Sequence, residues 1–135
     1  MSRYQPATRE QLRQAIVEYC LDDCREHGPI GTWDTSLITD MTEVYYNMNH
    51  FNESIADWDT SLVTNMKHIF HGCTSFNQPL SSWNTSSVIN MDNMFEGCTS
   101  FHQPMGSWHK PQMLFQDCPD PDYCCTVCSD KFVCK

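Results

Sequence analysis

The chain has 135 residues, with 17 acidic side chains against 8 basic ones and a formal net charge of -9. That length allows one domain, and the acidic balance excludes phosphate-backbone binding, which needs clustered Lys and Arg. No stretch reaches the roughly 18 consecutive apolar residues of a membrane span, and the opening MSRYQPATREQ lacks the apolar core of a signal peptide.

Residues 1–29 read as an N-terminal cap. Thr8, followed three residues later by Gln11, is a capping-box signature. Leu12, Ala15, Ile16, Tyr19 and Cys20 then recur on one face of a helix expected over about residues 9–26. Gly28 and Pro29 stop it.

Residues 30–118 are one pattern written three and a half times. The only tryptophans, Trp33, Trp58, Trp83 and Trp108, are each 25 residues apart. Fourteen of the 25 positions in Ile55–Pro79 recur in Leu80–Pro104. A period of this size means stacked repeats that cannot bury their apolar faces alone. In some columns every copy is apolar, and these are assigned to the core spine: Trp33, Trp58, Trp83 and Trp108, then Met66 and Met91, Phe70 and Phe95, Phe76 and Phe101. The run Met66, Ile69, Phe70, Cys73 has the i, i+3, i+4, i+7 spacing of a short amphipathic helix. Asp40, Asn65 and Asn90 stand where they would cap it. Each rung is thus expected to be an extended piece followed by a short helix. The columns Thr32/Asp57/Ser82, Thr42/Lys67/Asp92, Glu43/His68/Asn93 and Tyr46/His71/Glu96 vary freely and are assigned to the solvent side, where partner specificity must be written.

The pattern W-[DN]-T-S-x-[VI]-x-[ND]-M-x-x-x-[FY]-x-x-C-x-x-F-[NH]-Q resembles the BspA-type leucine-rich-like repeats of bacterial surface proteins, mycoplasma lipoproteins and microalgae such as diatoms. The lead-in and the Cys-rich ending look most like the algal versions. The resemblance implies an α/β, leucine-rich-repeat-like solenoid, read here as right-handed, with three full rungs and a partial fourth. It also implies surface or protein–protein contacts rather than a specific chemistry.

Residues 119–135 are a Cys-rich C-terminal cap, and five of the nine cysteines follow residue 117. Cys118, Cys124, Cys125, Cys128 and Cys134 are disulfide candidates, which implies an extracellular, cell-surface or oxidising lumenal setting. The alternative is zinc on the CxxC of Cys125 and Cys128, although structural zinc sites usually present two such pairs. Cys73 and Cys98 share an inward column with Met48 and read as small buried hydrophobes. Cys20, Cys24 and His27, and separately His68 and His71, are weaker metal candidates. Asn52 and Asn84 lie in N-glycosylation acceptor patterns. Thr35, Thr60 and Thr85 form a ladder that either packs inside or, less fittingly, displays a flat ice-binding array.

No Gly-rich phosphate loop and no HExxH appears. Nearly every polar residue that stands out is repeated, as scaffold residues are, whereas catalytic groups occur once. The expectation is a non-catalytic interaction or structural module without a resident cofactor. It would bind an unidentified protein partner, alone or as a small subunit of a larger assembly, with no nucleic acid and no membrane insertion. A secreted or cell-surface adhesion protein is the second reading, and a metal-dependent protein or enzyme is the third.

Overall fold

The computed structural model describes residues 3–104 and 108. They contain one α-helix, α1 (Arg9–Leu21), and one 3-10 turn, Ile30–Thr32. No strand forms among the described residues. Strand-like pairing between consecutive copies is limited to isolated parallel bridges, Asp40 with Asn65 and Asn65 with Asn90. The expected α/β, leucine-rich-repeat-like solenoid, with an extended segment and a helix in each rung, is therefore overturned.

The reason lies in where the backbone N–H groups go. In the second copy, Ile69, His71 and Cys73 donate to the carbonyls of Met66, His68 and Phe70, closing tight turns at 3.3, 3.2 and 3.0 Å. The intervening residues donate elsewhere. Met66, His68, Phe70 and Gly72 reach across to the carbonyls of Asn90, Asp92, Met94 and Glu96 in the third copy, at 2.8–3.0 Å. The first copy does the same, with Met41, Glu43, Tyr45 and Asn47 donating to Asn65, Lys67, Ile69 and His71. An α-helix would need all these donors for i→i−4 bonds within the segment. The segment is a ribbon of consecutive turns, and the ribbon repeats the i, i+3, i+4, i+7 apolar spacing without being a helix.

Two residues per ribbon adopt left-handed backbone: Glu43, His68 and Asn93 in one column (φ 59, 56 and 54°), and Asn47, Gly72 and Gly97 in the other (φ 59, 75 and 77°). Asp40, Asn65 and Asn90 do accept a backbone N–H near the start, from Thr42, Lys67 and Asp92 at 2.8–2.9 Å. They close a side-chain turn two residues on, not a helix N-terminus.

Inside the stack, like rests on like. The Trp33 and Trp58 rings lie 6.3 Å apart, as do Trp83 and Trp108. Tyr45, Phe70 and Phe95 succeed one another at 5.4 and 5.6 Å, and Phe51, Phe76 and Phe101 at 5.7 and 5.8 Å. Met66 and Met91 are buried beside them. Each indole N–H has a fixed acceptor, because Trp58, Trp83 and Trp108 donate to the carbonyls of Ile30, Ile55 and Leu80 in the preceding copy at 2.8–2.9 Å. The thiols follow the same rule: Cys73 donates to Tyr45 O and Cys98 to Phe70 O, at 3.0 and 2.9 Å. Thr35 and Thr60 are buried and donate to Asp59 O and Asn84 O of the following copy. Thr85 is buried in the same column. A buried ladder displays nothing to ice, so packing is its role.

Helix α1 closes the first copy. Thr8 caps it, accepting from Gln11 N. It ends at Leu21, short of the expected residue 26, where Asp23 turns left-handed (φ 51°) and Cys24 N folds back to Glu18 O. Leu12, Ala15, Ile16 and Tyr19 are its buried face. The opposite requirement is polar. In later copies the carbonyls at the positions of Thr42, Val44 and Tyr46 accept from the preceding copy, and the first copy has none before it. Arg9 Nε donates to Thr42 O (2.5 Å), and Arg13 donates to Val44 O and Tyr46 O (2.8 and 3.4 Å). Two guanidinium groups thus replace the missing ribbon.

Replacing Trp83 by Ala removes a stacked, hydrogen-bonded ring and is expected to cost about 3–5 kcal/mol. An unchanged denaturant midpoint for this variant would contradict the packing described. The thiols give a second test. Burial disfavours their thiolates, raising Cys73 and pushing Cys98 from 9.0 up to about 12. Above pH 9 the unfolded chain releases these protons and the folded chain holds them, so stability falls as pH rises from about 9 toward 12. Melting points over that range are expected to fall less steeply in a Cys73→Ala/Cys98→Ala variant. Equal slopes would contradict burial of the thiols.

Candidate functional site

The left-handed column separates packing from function. A non-glycine residue there costs on the order of 1 kcal/mol, and glycine or asparagine is the usual relief. The column of Asn47, Gly72 and Gly97 uses only such residues. A Cβ on Gly72 would also run into the Asn47 side chain. The column of Glu43, His68 and Asn93 has the same backbone, yet its first two members are Glu and His. Strain retained where a strain-free residue was available points to side chains kept for another purpose.

Those side chains gather on the outside of the ribbon. His68 Nδ1 lies 3.5 Å from Glu43 Oε1, and His71 Nε2 lies 3.5 Å from Glu96 Oε2. One histidine reaches back to the first copy and the other forward to the third. Tyr46 stacks on His71 with ring centroids 4.6 Å apart and planes 9° from parallel, and His68 leans against both rings. The histidines are 22% and 25% exposed and the carboxylates 44% and 48%, so the acids are the more exposed members of the group. Asn93 Nδ2 donates to Glu96 Oε2 at 3.0 Å. His71 Nδ1 is buried and has no hydrogen-bond partner among the described residues.

A second feature lies at the end of α1. A cavity of about 360 Å3 is lined by Tyr19, Cys20, Met48, Phe51 and Glu53, with Arg25 at its edge. The Arg25 guanidinium lies 3.9 Å over the Tyr19 ring, 2.8 Å from Asp23 and 3.7 Å from Glu53. The chain's own arginine thus lines this cavity. Cys20 is half-buried there, and burial pushes its thiol up to about 11, which makes it a poor nucleophile.

The other candidates fall into place by position. Among the described residues, no group of three His, Cys, Asp or Glu is placed to hold a metal ion. Cys20, Cys24, Cys73 and Cys98 are free thiols. The disulfide and zinc candidates Cys118, Cys124, Cys125, Cys128 and Cys134 lie outside the described residues. The two acceptor asparagines differ. Asn52 Oδ1 takes hydrogen bonds from Asn77 N and Gln78 Nε2 at 2.9 and 3.0 Å, joining two copies. Asn84 is exposed, and its Oδ1 accepts only locally, from Ser86 N. No described helix is long and apolar enough to cross a membrane.

Sequence reading found the columns of this face but not the strain within them. One signal was available: glycine recurs at Gly72 and Gly97 in a column where the first copy has Asn, the substitution typical of left-handed backbone.

A family model described as a Mycoplasma protein of unknown function, DUF285, matches residues 15–117. No curated protein matches the chain, and no solved structure does.

If the strained side chains serve something other than folding, Glu43→Gly and His68→Gly are expected to leave stability within about 1 kcal/mol of the parent or raise it. Gly72→Ala, with φ +75° and Asn47 in its way, should lose about 1–3 kcal/mol. Thermal denaturation of the three variants decides it. A His68→Gly loss as large as that of Gly72→Ala would mean that the histidine contacts exist for stability.

Proposed function

The chain belongs to the DUF285 family, and from that premise we propose that it is a non-catalytic binding module holding a protein partner against Glu43, Tyr46, His68, His71 and Glu96. One observation carries the reading: Glu43 and His68 sit at left-handed positions that the parallel column fills with Asn and Gly. The inward columns are spent on packing and on copy-to-copy hydrogen bonds, whereas the residues of this outer face differ from copy to copy. The absence of catalysis is read from the sequence, where outstanding polar groups recur with the repeat instead of standing alone. A stack of this kind also suits binding physically, since it holds side chains at fixed intervals on a surface that does not have to move.

The test places a photo-cross-linking amino acid at Tyr46, and in a second variant at Leu62, an exposed residue in a different column. In the cells that make the protein, a defined adduct is expected from position 46 and not from position 62. Adducts that form equally at both positions, or only at 62, would refute the assignment of this face.

A further inference from the structure

We propose that the partner presents an arginine side chain to this face, the guanidinium lying on the Tyr46–His71 rings between Glu43 and Glu96. The inference rests on the reading of this face as the interaction surface and adds the chemistry of what it binds.

The chain itself supplies the comparison. Where it binds its own guanidinium, Arg25, it uses one aromatic ring and two carboxylates: Tyr19 at 3.9 Å, Asp23 at 2.8 Å and Glu53 at 3.7 Å. The outer face assembles the same kinds of group from three successive copies. Tyr46 and His71 form the aromatic element, 4.6 Å apart and nearly parallel. Glu43 and Glu96 are the two carboxylates, each 3.5 Å from a histidine and each close to half-exposed. Among the described residues, no lysine or arginine lies in a direct ion pair with either of them, although Arg13 on the neighbouring carbonyls feels the charge of Glu43.

Charge points the same way. These columns carry Glu43, Asp92 and Glu96 against Lys67, with Arg9 and Arg13 of α1 at the edge of the first copy, on a chain whose net charge is -9. A basic partner is drawn to such a field before contact. Arginine fits better than lysine because a planar guanidinium stacks on a ring face and forks onto carboxylates, whereas an ammonium is a compact point charge. The histidines matter here as neighbours of the carboxylates. His68 lies beside Glu43 from the middle copy and His71 beside Glu96, and Asn93 donates to Glu96 as well.

The experiment titrates the full chain with an unstructured Gly-Ser-Arg repeat peptide at low salt, followed by calorimetry, with a Gly-Ser-Lys repeat as comparison. The arginine peptide is expected to bind and the lysine peptide to bind more weakly. Glu43→Gln/Glu96→Gln is expected to weaken the arginine peptide about tenfold, the scale of a ring-and-carboxylate cation site. Asp57→Asn/Asp59→Asn removes the same charge elsewhere, and Asn84 already fills the Asp59 column, so this variant should fold and bind nearly as the parent does. Melting points taken alongside show that each variant is folded. No binding of the arginine peptide, equal binding of the lysine peptide, or equal weakening by the Asp57/Asp59 pair would overturn the proposal. If the arginine peptide fails while cross-links still form at Tyr46, the face stands and its chemistry is wrong. Cross-links elsewhere remove the face itself.

Discussion

Every second backbone N–H of the ribbon leaves its own copy. Phe70 and its alternate neighbours cannot be satisfied by the turn they belong to, because their donors point at carbonyls 24 residues on. In an isolated copy these donors would turn to water and the apolar columns would be uncovered, so nothing would hold the ribbon in shape. The fold therefore exists only as a stack. The same rule extends to side chains: indole, thiol and threonine hydroxyl donors in successive copies each reach a neighbouring copy's carbonyl. Stability of this kind is carried mostly by nearest-neighbour interfaces, which makes each end a problem to be solved locally. Arg9 and Arg13 solve it at the N-terminal end, where their guanidinium groups stand in for absent backbone donors.

This arrangement also decides which residues are available for anything else. The inward columns are filled with rings, methionines and thiols in register, and the turn positions by Asp or Asn accepting from the residue two ahead. What remains is the outer side of the ribbon, where left-handed backbone sets side chains at one-copy intervals. A strained position can be met with glycine, as at Gly72 and Gly97, or borne for the sake of a side chain, as at Glu43 and His68. The contrast between the two columns, which share one backbone, is what turns a surface patch into a candidate site.

Much of this was legible from the 25-residue period. The repeat boundaries, the columns that face inward and the start of α1 at Thr8 follow from spacing and capping chemistry alone. The local structure of each copy was not. Met66, Ile69, Phe70 and Cys73 carry a helical signature, and periodicity cannot separate an α-helix from a ribbon of turns that advances its apolar residues at the same interval. The distinction lies in the partners of the N–H groups, which are in another copy and leave no trace in a local window. For the same reason Asn65 was read as a helix cap: it accepts the same N–H in either structure, and only the continuation differs. The site was half legible. Variation marked its columns, but the backbone strain that gives the variation meaning belongs to the three-dimensional turn.

The measurement that bears most directly on this account is NMR detection of couplings across backbone hydrogen bonds in isotope-labelled protein. In the stack, the His68 amide faces the Asp92 carbonyl and the Phe70 amide that of Met94. Couplings between those pairs would establish that the copies are joined through alternate donors. A coupling from Phe70 to Met66 in their place would mean that the segment is a helix, and the ribbon, its strain and the site built on it would all be wrong.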